Sequence, residues 1–270
     1  MIRIENLGRV YRRSRTSPFG PRAAVHALRD VSFEVEAARR FGVVGESGSG
    51  KSTLVRLIAG LDQPTSGTVA FDGQRVDGRP ERQLSFLRRD LQVVFQDPTG
   101  SLDPRMRVRD IIAEPLVAQR IPGQNERVAE VLAAVGLPAD AGRRFPHQFS
   151  GGQRQRISLA RALAPRPKVL VADEPVSALD VSVRAQILNL LADLVDQFAL
   201  TLVFVSHDLS VIRHVCDTVA VLRSGELVEI GDVERVYRSP EHPYTRQLVR
   251  AAPTLRGALS GVTAADLTTQ

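Results

Sequence analysis

The chain has 270 residues, of which 43% are hydrophobic and 24% charged, and this ordinary globular balance excludes a mostly disordered or collagen-like chain. No apolar stretch approaches the roughly 18 residues of a membrane span, and the single cysteine, Cys216, excludes an internal disulfide and a cysteine-built metal cluster. The formal net charge of +6 is spread along the chain, which favours a solvated basic surface, so we expect no nucleic-acid partner.

Short β-branched runs alternate with helical patterns along much of the chain, which is typical of an α/β fold. The N-terminus lacks the apolar core of a signal peptide and predicts the first strand of a cytosolic protein. Further strands are predicted for residues 31–35, 41–44, 169–172 and 202–205, and helices for the segment after residue 53 and for 185–198. Runs 169–172 and 202–205, with the helix between them, predict a right-handed βαβ unit in a sheet covered on both faces. Residues 219–222 and 226–230 flank Ser224-Gly225 and predict a hairpin.

The middle of the chain, about residues 98–164, lacks strand patterns and predicts an all-helical lobe inserted into the α/β lobe. Its helical patterns cover residues 108–119, 126–135 and 153–163. We expect one domain over residues 1–252 that includes this lobe. Residues 253–270 are small and polar and predict a loose tail, and residues 12–22 predict a basic loop.

A glycine-rich segment fits the phosphate-loop pattern G-x-x-x-x-G-K-[ST] and is followed by Thr53: Gly45-Glu46-Ser47-Gly48-Ser49-Gly50-Lys51-Ser52. An apolar run precedes it and helical spacing follows, which is the context that the pattern requires. The glycines let backbone N–H groups turn inward as an anion nest, and the helix directs its positive end at the phosphates. Because Lys51 can reach the β and γ phosphates and Ser52 can ligate Mg²⁺, the segment predicts a nucleotide site.

A pair of carboxylates follows the apolar run 169–172, namely Asp173 and Glu174. Asp173 can bond a water on Mg²⁺, and Glu174 can accept a proton from an attacking water. On its own, an apolar run that ends in Asp-Glu is only a weak indication of a catalytic site. Together with the phosphate loop in the same chain it becomes a strong one.

The segment Phe149-Ser150-Gly151-Gly152-Gln153-Arg154 resembles the signature motif of ATP-binding cassette (ABC) ATPases, with Phe149 where Leu is usual. A serine and two glycines at a helix N-terminus form a second phosphate-binding surface. The resemblance implies a head-to-tail dimer with a second ABC ATPase chain. Two ATP molecules would lie between one chain's phosphate loop (45–53) and the other's signature (150–153).

Further motifs follow in the order that this family has. Gln96 resembles the Q-loop glutamine at the junction of two lobes, Ser177-Ala178-Leu179-Asp180 resembles the D-loop, and Ser206-His207-Asp208 resembles the H-switch. Tyr11 resembles the aromatic residue that stacks on adenine. The resemblance implies catalytic roles for Lys51, Gln96, Glu174 and His207, and metal contacts from Ser52, Gln96 and Asp173. It also implies a P-loop NTPase fold of ABC type, with a mixed α/β core lobe and an inserted all-helical lobe. The turn 37–40, Ala-Ala-Arg-Arg, departs from the family, in which Gly is usual here.

Three stretches resemble the oligopeptide/dipeptide importer branch of the family: Phe95–Asp97 with Pro98 and residues 101–104, residues 173–183, and His242-Pro243-Tyr244-Thr245. The basic loop also resembles that branch. No cysteine follows Cys216, so the cysteine-bearing C-terminal extension of many members, with its metal cluster, is not expected.

The resemblance implies a peripheral ATPase at the cytoplasmic face of the cell membrane. It would power peptide uptake through two transmembrane permease subunits and serve an extracytoplasmic substrate-binding protein indirectly. The permeases would dock near residues 96–104. A nickel or other small-solute importer remains the alternative, and a soluble non-transport ATPase is less favoured because those resemble two fused cassettes. The choice between homodimer and heterodimer stays open, and the intact motifs argue against a module that only senses nucleotide.

Overall fold

The structure is a computed structural model that describes residues 1–12 and 24–251. The predictions for the basic loop, apart from Arg12, and for the C-terminal tail therefore fall outside the described residues. The described strands are β1 (Ile2–Arg12), β2 (Ala24–Val35), β3 (Arg40–Val44), β4 (Ser66–Phe71), β5 (Gln74–Arg75), β6 (Leu91–Val94), β7 (Val169–Asp173), β8 (Thr201–Ser206), β9 (Thr218–Arg223) and β10 (Glu226–Asp232). The described α-helices are α1 (Lys51–Ile58), α2 (Ser85–Asp90), α3 (Pro98–Ser101), α4 (Val108–Ala118), α5 (Gln124–Ala134), α6 (Gly151–Leu163), α7 (Val181–Gln197), α8 (Leu209–Val215), α9 (Val233–Arg238) and α10 (Pro243–Ala251).

A six-stranded sheet, in the order β10-β9-β3-β8-β7-β6, forms the centre of the fold. Its pairs are parallel except β9 with β10, which form the predicted hairpin. Strands β7 and β8 are neighbours joined through α7, as the sequence predicts. Because β3, β8 and β7 are adjacent and parallel, the loops after them leave the same edge of the sheet.

Strand β8 is buried on both faces, which explains its continuous apolar sequence. Phe204 packs into the core on the side of the helical segment, while Val203 and Val205 pack into the core that contains β1, β2, β4 and α1. The central sheet is thus the layer between two hydrophobic cores.

A second, antiparallel sheet of four strands, in the order β2-β1-β4-β5, covers one of these cores. Ile2 and Ile4 of β1 and Leu54 of α1 are fully buried there. This sheet carries β2 close to the phosphate loop, because a Cβ at Gly50 would lie 2.4 Å from the carbonyl oxygen of Ala27.

Helices α3 to α6 lie between the neighbouring strands β6 and β7, and no strand is described within residues 98–164. Ile111 of α4, Val131 of α5 and Leu159 of α6 are buried in a common core. The helical period in this part of the sequence is therefore the period of a packed apolar face. These findings match the ABC ATPase fold that the resemblance implies.

The turn 37–40, where the family usually has Gly, adopts a backbone conformation that favours glycine although it contains none. Ala38 has φ of 55°, in the left-handed region, which is unfavourable by roughly 1–2 kcal/mol for a residue with a Cβ. Its N–H donates to Oγ1 of the buried Thr201, at 2.8 Å, which ties the turn to the start of β8.

Candidate functional site

The phosphate loop connects β3 to α1 and has the backbone of an anion nest. Gly48 and Gly50 have φ of 81° and 106°, which favours glycine at both positions. Gly50 is the N-cap residue of α1, so the free N–H groups of the first turn of α1 lie at the end of the loop. This arrangement suits a phosphate group.

Lys51 is held inside the loop by the loop's own carbonyl groups. Its side chain is 5% exposed, and its Nζ donates to the carbonyl oxygens of Gly45, at 2.7 Å, and Glu46, at 2.9 Å. Burial lowers the pKa of Lys51, and the carboxylates of Glu174 and Asp173 oppose that shift. Backbone oxygens of the loop therefore fix the position of the ammonium group.

Asp173 ends β7 as a buried carboxylate, 8% exposed, and its Oδ1 has no hydrogen-bond partner among the described residues. Burial raises the pKa of Asp173, and the neighbouring Ser52 hydroxyl and Lys51 charge only partly offset that effect. A buried acceptor without a donor is a group that a cation or its bound water would satisfy.

The three residues predicted to contact a metal, Ser52, Gln96 and Asp173, line one cleft of about 550 Å³. No group of three or more His, Cys, Asp or Glu side chains in residues 1–12 and 24–251 could hold a metal ion on its own. Mg²⁺ needs no such group, because it usually keeps several waters and binds one or two carboxylates together with phosphate oxygens. The donors of this cleft therefore fit Mg²⁺ delivered with a nucleotide.

Glu174 lies at the centre of the predicted catalytic residues. Its Oε2 is 3.1 Å from Nδ1 of His207 and accepts a hydrogen bond from Nε2 of Gln96 at 3.5 Å, while its Oε1 is 3.7 Å from Nζ of Lys51. Its backbone has φ of 47°, and its N–H donates to the carbonyl oxygen of Val205 on β8. The structure thus brings Lys51, Gln96, Glu174 and His207 together.

The signature segment forms the N-terminus of α6. The Ser150 hydroxyl accepts from the N–H of Gln153, and the Gln153 side chain accepts from the N–H of Ser150, so the two residues form a capping box. A Cβ at Gly152 would lie 2.5 Å from Cγ1 of Val183 on α7, which explains the glycine by close helix approach. The hydrogen bonds described for Ser150 and Gln153 are local, which leaves the outer side of this helix end for a ligand.

Tyr11 is part of a side-chain cluster near the end of β1. Its hydroxyl donates to Oδ2 of Asp62 at 2.7 Å, and the guanidinium of Arg9 lies over the ring, 4.5 Å from its centroid. Arg9 also makes a two-point ion pair with Asp62. Stacking on adenine, which remains a prediction, would use the ring face opposite Arg9.

Sequence reasoning missed two contacts around this site. Nothing in the sequence pairs Tyr11 with Asp62, because 51 positions separate them. The hydroxyl of Tyr244, in a motif that lies outside the predicted catalytic core, accepts a hydrogen bond from the N–H of Glu46 in the phosphate loop. The motif His242–Thr245 was the only available signal, and it gave no hint of this contact.

No helix within residues 1–12 and 24–251 has the length and apolar character needed to cross a membrane.

Comparisons with known proteins identify the class. The family described as "ABC transporter" matches residues 28–177, and the family described as "Oligopeptide/dipeptide transporter, C-terminal region" matches residues 228–267. The fold also resembles the dimeric, post-hydrolysis structure of the ATP-binding cassette MJ0796 bound to ADP and Pi, with a TM-score of 0.76, 29% identity, and coverage of 86% of this chain and 99% of that one. The chain of cbiO1 from Clostridium perfringens gives a TM-score of 0.76 at 26% identity over 97% of this chain and 98% of that one.

Relatives with a named function indicate which branch of this class the chain resembles. The di/tripeptide transport ATP-binding protein DppF of Pseudomonas aeruginosa is 49% identical over 94% of this chain and 80% of its own length. The oligopeptide transport ATP-binding protein OppD of Mycobacterium tuberculosis is 49% identical over 94% of this chain and 42% of its own length. The glutathione import ATP-binding protein GsiA of Escherichia coli is 50% identical over 85% of this chain and 37% of its own length.

The chain therefore belongs to the ABC transporter family, as an ABC-type ATPase coupled to transport. Within that family it belongs to the oligopeptide/dipeptide branch, since the branch-specific C-terminal region and the relative matched over most of its length agree.

Proposed function

We propose that this chain hydrolyses Mg-ATP to power the import of short peptides through partner permeases. The observation that carries the proposal is the convergence of Lys51, Gln96 and His207 on the carboxylate of Glu174, at the edge of the sheet where the phosphate loop begins. That arrangement places a cation, an amide and an imidazole around one candidate general base.

Different residues of the site have different chemical roles. The loop 45–53 and α1 bind the phosphates, and Lys51 neutralises charge on the β and γ oxygens. Ser52, Gln96 and Asp173 would hold Mg²⁺, which when bound offsets the negative charge of the phosphoryl group. Glu174 takes the proton of the attacking water, and His207 orients the Glu174 carboxylate through the 3.1 Å contact.

The site is completed by a second ABC ATPase chain. The signature of the partner, equivalent to Ser150, Gly151, Gly152 and Gln153 here, lies over the ATP held by this chain's phosphate loop. The exposed N-terminus of α6 supports this role, and two solved structures similar to this chain are described as dimeric. Tyr11 stacks on the adenine.

Peptides are the proposed cargo, and two transmembrane permeases with an extracytoplasmic substrate-binding protein select them. Support comes from relatives named for di/tripeptide and oligopeptide transport. Glutathione, itself a tripeptide, is a second candidate because a 50% identical relative is named for its import. The chain would act at the cytoplasmic face of the membrane.

A groove beside the site offers the permeases a docking surface, close to the predicted segment 96–104. Leu61, which is 52% exposed, and Phe95, which is 38% exposed, line it together with Glu114 and Arg161. Large exposed apolar residues beside charged ones are typical of an interaction site. The groove lies where α4 and α6 meet the α/β layer, so it can transmit movement between the permease and the nucleotide site.

The test measures peptide uptake and ATPase turnover together, in cells and in membranes that contain the permeases and the substrate-binding protein. Leu61→Glu should abolish uptake of di- and tripeptides while the purified chain keeps its ATPase turnover. Ile230→Glu, at another exposed apolar residue, on β10, should leave both unchanged. Normal peptide uptake in a strain that lacks this chain would contradict the peptide cargo, and competition by glutathione alone would favour the second candidate.

A further inference from the structure

The motif His242-Pro243-Tyr244-Thr245 reaches the phosphate loop directly. Tyr244 lies in the first turn of α10, and its side chain is almost fully buried, with 2% of the residue exposed. Its hydroxyl accepts a hydrogen bond of 3.0 Å from the backbone N–H of Glu46, the second residue of the loop. The contact joins positions 198 residues apart.

The peptide group between Gly45 and Glu46 is held at both ends. Its N–H, on Glu46, donates to Tyr244, and its carbonyl oxygen, on Gly45, accepts from Nζ of Lys51 at 2.7 Å. A continuous line of hydrogen bonds therefore runs from the Tyr244 hydroxyl through one backbone unit to the lysine ammonium group. Bonds in such a line polarise one another, so the tyrosine affects a group that it does not touch.

Tyr244 itself is fixed by the hairpin strand β10. The backbone N–H groups of Glu241 and His242 each donate to the carboxylate of Glu229, at 3.0 Å, and the N–H of Tyr244 donates to Nδ1 of His242 at 3.1 Å. The guanidinium of Arg223 covers the ring at 5.1 Å from its centroid. Hydrogen bonds thus hold the backbone of Glu241, His242 and Tyr244 itself, and this fixes the position of the Tyr244 hydroxyl.

We propose that Tyr244 is a positioning residue for Lys51, acting through the peptide group between Gly45 and Glu46, so that the C-terminal region of this chain tunes its affinity for the phosphates of a nucleoside di- or triphosphate. The proposal rests on the proposed binding of ATP. It gives the segment around α10 a role in the nucleotide site, in addition to packing.

If Tyr244 had only a structural role, removal of its hydroxyl would leave nucleotide binding unchanged. Its ring is part of the hydrophobic core, so packing alone would explain why a large aromatic residue is there. Packing does not require the hydroxyl, whose burial also raises the pKa of the phenol and keeps it protonated. Tyr244→Phe keeps the ring and removes only the oxygen, so this variant separates the two roles.

The experiment measures Mg-ADP binding to the full chain by calorimetry, which reports the dissociation constant and the binding-competent fraction separately. Tyr244→Phe should weaken binding about 3- to 10-fold, the fold-change expected for one ordinary hydrogen bond, with an unchanged stoichiometry. The matched control is Tyr237→Phe on α9, whose ring also lies under an arginine but away from the loop, and it should bind as the wild type does.

A second measurement tests the route through Lys51. In a Lys51→Ala background, followed by displacement of a fluorescent ADP analogue, Tyr244→Phe should cause no further weakening. Wild-type affinity in Tyr244→Phe, a reduced stoichiometry at constant affinity, or an equal loss in the Lys51→Ala background would each overturn the proposal. A wild-type chain that fails to bind ADP would instead contradict the proposed function.

Discussion

The carboxylate of Glu174 and the imidazole of His207 are in direct contact, with Oε2 3.1 Å from Nδ1. Glu174 follows β7 and His207 follows β8, so the contact is a consequence of the adjacency of these strands. In the tautomer with the proton on Nδ1, His207 donates to Glu174 and leaves Nε2 as an acceptor. The imidazole thereby fixes the direction of the carboxylate that faces Lys51.

Glu174→Gln should leave nucleotide binding intact and lower ATPase turnover about 10²- to 10⁴-fold, the usual contribution of a general base. Glutamine is nearly isosteric and keeps a contact with His207, but it cannot take a proton from water. The measurement is Mg-ATPase turnover beside a sizing run with ATP, in which the ATP-bound dimer should accumulate. The control Glu36→Gln changes an exposed glutamate in the turn before β3. Near-normal turnover in Glu174→Gln would transfer the proposed role of base to His207.

Ser150→Arg should block hydrolysis at the partner's nucleotide and not at the chain's own. The isolated variant should bind ADP as the wild type does, apart from a loss of helix stability of about 1 kcal/mol because Ser150 caps α6. When the chain pairs with itself, mixing Ser150→Arg with Lys51→Ala should restore part of the ATPase turnover, since one of the two sites in the mixed dimer is intact. In the mixed dimer of the wild type and the double variant Lys51→Ala/Ser150→Arg, each site carries one substitution, and this dimer serves as the control. No recovery in the first mixture would argue against the head-to-tail arrangement.

Asp173→Asn should stabilise the ligand-free chain at neutral pH. Burial raises the pKa of Asp173 above its unfolded value, so its ionised form lowers the free energy of unfolding at neutral pH. That penalty is fully present above the folded pKa and disappears as the pH falls below the unfolded value of about 3.9. Melting temperatures in EDTA should therefore be higher for Asp173→Asn at pH 7 and converge with the wild type toward pH 4.

The exposed Asp193→Asn on α7 is the control for this experiment, and its melting temperature should follow the wild type throughout. A difference for Asp173→Asn that does not vary with pH would contradict the assignment to ionisation. The same variant should lose Mg²⁺-dependent ATPase activity, because the carboxylate that would face the ion is absent.

Tyr11→Ala should weaken ATP binding by roughly 1–3 kcal/mol if the ring stacks on adenine, as base–aromatic stacking commonly does. Tyr11→Phe keeps the ring and removes the hydrogen bond to Asp62, so it should retain most of the affinity. Asp62→Asn isolates the effect of the cluster without touching the ring. Calorimetric titration with ATP distinguishes the cases, and equal affinities for Tyr11→Ala and wild type would leave Tyr11 with a packing role alone.

Strands β7 and β8 of the central sheet could be predicted because they are continuous apolar runs, which are typical of a parallel sheet covered on both faces, whereas β6 was not predicted. In the antiparallel sheet β1 and the end of β2 were predicted, but β4 and β5 were not, because β4 includes Ser66, Gly67 and Thr68, and β5 has only two residues. These strands exist through pairing with β1, which no local pattern records. Propensity is a weak guide where the partner strand decides.

In the candidate site, too, some features could be predicted from the sequence and others could not. Lys51, Glu174 and His207 stand in short motifs whose residue types suit the chemistry, so the sequence alone selects them as candidates, and the structure brings their side chains together. The contact of Tyr244 with Glu46 depends on the path of the chain between β10 and α10, and long-range geometry of this kind leaves no trace in spacing. The positive φ of Glu174 was equally hidden, since glycine is the usual sign of such a backbone.

The placement of α3 to α6 between two strands that are already neighbours has a consequence for how this chain can diverge. The register of β6 on β7, in which Leu91 pairs with Val169, is set by the sheet, and because the two strands are parallel the helices in between carry the chain from the carboxyl end of β6 back to the amino end of β7. Insertions and deletions in the connections among these helices therefore do not shift Asp173 or Glu174. Over evolutionary time the surface proposed to meet the permeases can be remodelled by length as well as by composition, while the spacing of the proposed catalytic residues stays constant.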